Sequence, residues 1–236
     1  VMKLEIGQRL ELDAAQRERM VREAADAARG ADAAIIADFA LGAITTSTIG
    51  PLCRALRAAG VLAGDVSGRR ANLLGFERLD LLCPSESEVR AATGFADDGL
   101  ASVVWSLLDA TRSRAAIVTL GADGLIAFDR THGAPSADGR WLERLAGEHV
   151  PSFAPFAVDQ LGCGDALLAA ATLALASGAS VAQAAIVGNA AAGLEARRLG
   201  NVPIDAAELR RDLARIANSH LAFGAVPSVR ATATAV

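Results

Sequence analysis

The sequence predicts an α/β protein, a three-layer, open, doubly wound and mostly parallel sheet with helices on both faces. Three observations predict it. Short continuous apolar runs that end in a carboxylate alternate with helix-length segments, the pattern of parallel strands buried on both faces. The 236 residues are 52% hydrophobic and 21% charged, the balance of a folded chain. Aromatics are only 4%, with no Tyr, so Ala, Leu and Val supply the apolar mass, which suits helices packed closely on a sheet.

The elements follow in order. Residues 14–28 carry apolar positions at helical spacing (Met20, Val21, Ala24, Ala25, Ala28), with Asp13 as N-cap and Gly30 as the stop. The run 33–37, ending at Asp38, reads as a buried strand, 45–59 as a helix closed by Gly60, and 61–65 as a second strand ending at Asp65. A strand at 79–83, helices at 86–93 and 99–112 and a strand at 115–120 continue the alternation. Segments 124–129 and 141–150 read as strands around a Gly-, Pro- and Ser-containing loop at 131–139, and helices at 164–177, 181–198 and 205–219 complete the fold. One domain is expected over residues 1–221, its core from about 31 to 219, with a loose tail at 222–236.

Charge and cysteine content narrow the function. Twenty-three Lys+Arg against twenty-seven Asp+Glu leave a net charge of -4, so no positive field draws nucleic acid or an anionic membrane, and neither is an expected partner. Cys53, Cys83 and Cys163 are odd in number and far apart, which supports neither a disulfide framework nor a zinc site; a cytoplasmic location is expected. Residues 166–194 contain no charge and exceed the ~20 residues of a membrane span. Ser177-Gly178-Ala179-Ser180 interrupts them and Ala dominates, so they read as two buried helices. His132, His149 and His220 match no ligand spacing.

The chemistry concentrates in Asp159-Gln160-Leu161-Gly162-Cys163-Gly164-Asp165. Two glycines just before a long apolar helix let the backbone N–H groups of residues 162–165 converge as an anion-binding nest. An Asp beside a bound phosphate makes chemical sense when it faces the proton of an attacking hydroxyl, the arrangement of a phosphotransferase. Gly and Asp also make ordinary helix caps, and that reading stands beside it. Cys163 at a helix N-terminus is expected to have a lowered thiol pKa. Asp38 and Asp65 end strands on the ligand side of the sheet, where they either contact substrate or Mg²⁺ or cap the following loops.

The segment resembles the D-x-x-G-x-G-D signature of the ribokinase-like (PfkB) carbohydrate kinases, with Asp159, Gly162, Gly164 and Asp165 at its fixed positions. Val118-Thr119-Leu120-Gly121-Ala122-Asp123-Gly124 resembles the family's strand and turn beside the nucleotide, and Pro84-Ser85-Glu86-Ser87-Glu88 its P-N-x-x-E. The segments Gly30–Phe39, Ala174–Ser180 and Gly188–Gly193 are similar to the heptose 7-phosphate kinase module of ADP-heptose biosynthesis. The resemblance implies an ATP- and Mg²⁺-dependent kinase acting on a sugar or sugar phosphate, with a homodimer as the candidate assembly. It makes Asp165 the general base and Gly162, Cys163 and Gly164 the anion hole. Thr119, Gly121, Gly124, Asn189 and Asp159 would border ATP, and Glu88 would help hold Mg²⁺ through water.

The departures matter too. Leu41 stands where the family has a lysine, Ser67 where it has a second, and Ser85 where it has the Asn of P-N-x-x-E. Arg69 and Arg70 are candidates to replace the second cation. The chain begins at Val1, after the family's N-terminal strands and sugar lid, so an N-terminally incomplete domain with uncovered sheet edges is expected. The alternatives are a relic that binds nucleotide or a partner without turnover, and a kinase of the same fold for ribose or a nucleoside. No H-x-G-H-type nucleotidyltransferase motif occurs, so that second activity is not expected.

Overall fold

The computed structural model describes residues 10–67, 72–130, 145–154 and 156–223. The loop expected at 131–139, the start of the strand expected at 141–150, Arg69, Arg70, His132, the side chain of His220 and most of the expected tail lie outside them. The elements are α1 (Ala14–Ala28), β1 (Ala33–Asp38), α2 (Ile49–Leu56), β2 (Val61–Val66), β3 (Leu81–Leu82), α3 (Glu86–Thr93) and α4 (Leu100–Thr111). Then come β4 (Ala115–Thr119), β5 (Leu125–Asp129), β6 (Ala146–Val150), α5 (Cys163–Ala176), α6 (Val181–Ala196) and α7 (Ala206–Phe223).

The sheet runs β1-β2-β3-β4-β5-β6, parallel from β1 to β4 and antiparallel through β5 and β6. Period-two alternation divides it into two faces. Ile36, Leu62, Val66, Leu82, Ala116 and Val118 face one way, into a core closed by α1 to α4 through residues such as Met20, Leu52, Val89 and Leu107. Ala63, Leu81, Cys83, Ala115 and Ile117 face the other way, toward Leu167, Leu168 and Ala171 of α5 and Val181, Ala184 and Ala185 of α6. The three layers are therefore helices, sheet, helices. The described strands keep sequence order, so the second helical layer arises because α5 and α6 cross to the opposite face.

The uncharged stretch forms two helices, as its interruption predicts. Ser180 starts α6 with a capping box, accepting from Gln183 N at 3.2 Å while its own N–H donates to Gln183 Oε1 at 2.9 Å. Among the described residues no helix is long and apolar enough to cross a membrane. Asp13 caps α1 in the same way, with Gln16 as its partner.

Two elements are shorter than the sequence predicts. The helix expected at 45–59 spans only Ile49–Leu56, because Thr48 Oγ1 accepts from Thr45 N at 2.8 Å and holds the preceding residues as a turn. The strand expected at 79–83 pairs only at Leu81–Leu82; the Asp80 side chain accepts from Leu62 N at 2.8 Å, in place of a strand carbonyl. On the outer side, β1 pairs with β2 alone among the described strands, and its Ile35 is exposed, as is Leu173 on α5.

The strand-end alternatives at Asp38 resolve toward a loop cap. Asp38 is 3% exposed; Oδ1 accepts from Ala40 N at 2.9 Å and Oδ2 from Asn72 Nδ2 at 2.8 Å. One oxygen thus holds the loop that follows β1, and the other ties it to the segment that follows β2. Asp38→Ala should leave Asn72 Nδ2 short of a partner and lower unfolding free energy by about 1–3 kcal/mol in urea titrations.

Candidate active site at the α5 N-terminus

The sequence-predicted residues fall into three groups, and Asp65 near the end of β2 feels the charges of both Asp165 at the start of α5 and Glu88 on α3. The first is the nest. Gly162 is the α5 N-cap at φ 82° and ψ -8°, a left-handed conformation, and a Cβ on it would lie 2.7 Å from Asn201 Oδ1. Only glycine fits both demands. Cys163 and Gly164 open the helix, in the first turn whose N–H groups have no intrahelical acceptor; the Cys163 N–H donates back to Gln160 O at 3.4 Å. Asp165 follows in the same turn, open to solvent, with partial burial pushing its carboxyl above the usual range.

Asp159 holds the nest loop in shape. Its Oδ1 accepts from Leu161 N at 3.1 Å and its Oδ2 from Gly200 N at 3.1 Å. Those amides keep its carboxyl below the ordinary carboxylate range. The residue singled out as nucleotide-binding therefore spends its side chain tying residues 159–162 to the segment after α6.

The second group meets at Ser85. Thr119, at the end of β4, forms a parallel bridge with Ser85 and donates its N–H to Pro84 O at 3.1 Å. Ser85 caps α3, and Glu88 Oε2 accepts from Ser85 N at 2.8 Å and from Ser85 Oγ at 2.7 Å. The serine in place of the family's Asn thus fixes the Glu88 carboxylate.

The third group meets at Pro151. Gly124 has φ 92°, and a Cβ there would lie 2.2 Å from Val150 O and 2.6 Å from Ser152 N, so backbone packs directly on it. Asn189, 5% exposed on α6, donates from Nδ2 to Pro151 O at 2.8 Å. Gly121, by contrast, sits on an open turn with nothing near its missing Cβ. His149 is exposed and lies 2.9 Å from Asp123 O through its Nε2, a surface role as expected.

Asp65 joins the first two groups electrostatically. It ends β2 on the face that carries Ala63 and α5, and its Oδ1 is buried without a hydrogen-bond partner. Burial pushes its pKa up to about 8, and the charges of Glu88 and Asp165 add to the rise. Because Asp65 stays protonated while Asp165 titrates, it puts no charge on Asp165, whose own rise comes from desolvation alone. Among the described residues no cluster of three or more side chains is arranged to hold a metal. An orphaned buried carboxylate oxygen beside Glu88 does fit a hard divalent cation that keeps most of its water.

The expected drop in the Cys163 thiol pKa does not occur. Partial burial pushes it up, and the carboxylates of Glu195 and Asp159 push it further, against the pull of its own backbone amide. The thiol donates to Asp159 O at a sulfur distance of 3.8 Å. Sequence reasoning also missed Asn201, Gly200 and Glu195, which brace the nest. The nearest signal was the charge at Glu195, directly after 29 uncharged residues.

A backbone nest at a helix N-terminus, with a carboxylate in its first turn and the strand ends of an α/β sheet nearby, is an arrangement suited to binding an anion such as phosphate. The comparisons carry this to a family. Residues 12–205 match the pfkB family carbohydrate kinases, and the chain belongs to that family. It is 31% identical over 220 residues to bifunctional protein HldE of Azorhizobium caulinodans, covering 92% of this chain and 43% of that protein. The chain spans less than half the length of the bifunctional relatives it matches.

Solved structures agree on the ribokinase-like fold. Phosphofructokinase-2 from Escherichia coli in complex with potassium superposes with a TM-score of 0.70 at 18% identity, covering 88% of this chain and 64% of that one. Arabidopsis thaliana ribokinase complexed with ribose and ATP gives 0.63 at 22% identity, covering 81% and 58%.

Two measurements follow from this geometry. Cys53 and Cys83 are buried and Cys163 is not, so iodoacetamide should modify Cys163 first under native conditions, with a pH midpoint above the about 8.5 of a free thiol; peptide mapping reads both. For Asp65, the folded chain keeps its proton up to about pH 8 while the ordinary value is 3.8, so stability falls as pH rises through that window. Asp65→Asn should match the parent near pH 4 and exceed it by roughly 2–5 kcal/mol at pH 8 in urea titrations.

Proposed function

We propose that the chain is the phosphotransferase part of a sugar kinase, moving the γ-phosphoryl group of ATP to a hydroxyl of a sugar phosphate, heptose 7-phosphate by its resemblance. The observation that carries the reading is the nest of Gly162, Cys163 and Gly164 with Asp165 in the same helical turn. The Asp165 carboxylate takes the proton of the attacking hydroxyl; its raised pKa makes it a better base than an ordinary Asp. As that O–H bond breaks, the hydroxyl oxygen forms a bond to γ-phosphorus and the bond to the ADP oxygen breaks. Backbone N–H groups of the nest donate to the phosphoryl oxygens as charge shifts across them.

Mg²⁺ supplies charge neutralisation on the phosphates when bound, and Glu88 and Asp65 are the residues that would hold it. Thr119, Gly121 and Gly124 border the nucleotide. Asn189 and Asp159 serve that border through backbone, the one fixing Pro151 and the other fixing the nest loop. A likeness to ribokinase complexed with ribose and ATP supports ATP as the donor. The partner is a small molecule, and a second copy of the chain is the candidate assembly.

One observation favours a second reading, nucleotide binding without turnover. Leu41 and Ser67 stand in place of two family lysines, and Leu41 is exposed, leaving a leucine where a phosphate-binding cation would sit.

A coupled ADP-release assay with Mg-ATP and a panel of sugars and sugar phosphates separates the two. The kinase reading expects turnover that Asp165→Asn lowers by roughly 10²–10⁴-fold with little change in nucleotide affinity. A chain silent on every acceptor whose melting temperature still rises with Mg-ATP is a binder only.

A further inference from the structure

Glu195 sits where its helix would be expected to carry an apolar residue. It is next to last in α6, between Leu194 and Ala196, and is 2% exposed. A carboxylate in the last turn opposes the negative end of the helix dipole, and burying one is costly without a strong partner. Its Oε1 accepts from Val202 N at 2.9 Å. Arg197 and Arg198, which could have neutralised it, point instead to Asp212 and Glu208 on α7.

The bond to Val202 draws the segment after α6 back over the helix end, and that segment is what touches the nest. Gly200 N donates to Asp159 Oδ2, and the Asn201 amide lies against Gly162 where a Cβ would be 2.7 Å away. From the other side, Val158 N donates to Ala196 O at 2.7 Å, so the two segments are laced together at the residue beside Glu195. The charge of Glu195 also reaches the Cys163 thiol inside the nest.

We propose that Glu195 is a positioning residue for the phosphate nest: through Val202, Asn201 and Gly200 it sets where Gly162, Cys163 and Gly164 present their N–H groups. The inference rests on the kinase reading for what the nest binds, while the bracing itself is measurable without any nucleotide.

Hydrogen exchange and Cys163 alkylation on the full chain test it. In the parent, the Gly200 and Val202 amides should exchange at least about tenfold slower than an unstructured peptide, although Val202 is 42% exposed. Glu195→Ala should speed both amides about tenfold, raise the plateau alkylation rate of Cys163 several-fold and weaken Mg-ATP binding on the order of 10–100-fold. Glu195→Gln keeps the acceptor and loses the charge. It should lower the pH midpoint of Cys163 alkylation while restoring the plateau rate, the amide protection and the Mg-ATP affinity, which loss of packing alone would not do. Unprotected Gly200 and Val202 amides in the parent overturn the proposal whether or not Glu195→Ala folds, as does a Glu195→Ala chain with parental exchange and alkylation. If exchange and alkylation follow the expectation but neither parent nor variants bind Mg-ATP, the bracing stands and the kinase reading fails.

Discussion

The alternation of side chains along the central strands is the constraint on which the rest of this molecule depends. Ala63 and Asp65 share one face of β2, and Leu62 and Val66 share the other. A slip of one residue would send Asp65 into the core beneath α2 and α4 and turn Leu62 toward α5. Because the register holds, Asp65, Cys83 and Thr119 all emerge on the α5 side at the strand ends, and α5 brings its first turn to the same place. The site is a product of strand parity before it is a product of any motif.

The motif supplies what parity cannot. Gly162 must be left-handed and must accept the Asn201 amide at its back, and Gly164 has open space where a side chain would stand in the first turn. Asp159 then works as a strut between two loops that lie 41 residues apart in sequence. The acidic side chains around this opening differ in state because their surroundings differ. Asp159 is held ionised by amides, whereas Asp65 is kept protonated by burial and by its charged neighbours.

Much of this was legible in the residues. The helices at α1, α3, α5 and α6 and the strands at β1, β2 and β4 follow directly from apolar periodicity and caps, and the nest follows from two glycines before an apolar run. What the sequence hid was side chain standing in for backbone. Asp80 replaces a strand carbonyl and shortens β3, and the Thr48 hydroxyl takes up the Thr45 N–H in a turn and delays α2. The antiparallel turn of β5 and β6 carries no period of its own, since both pairing modes use the same alternation. Cys163 misled for a different reason. Proximity to helix amides is visible in sequence, but the partial burial that raises the thiol most, and the carboxylate of Glu195 that adds to it, come from packing with a remote segment.

The assignment of α5 and α6 to the second face has a consequence for how the chain is made. Among the described residues, Ala63, Leu81, Cys83, Ala115 and Ile117 are covered chiefly by residues 163–196, which leave the ribosome after every strand of the sheet. During synthesis the first layer and the sheet can assemble while the other side of the sheet stays wet and apolar, a surface that neighbouring nascent chains or a chaperone can occupy. The glycine motif opens the segment that closes this gap, so the nest comes into being at the moment the sheet is first covered on both sides.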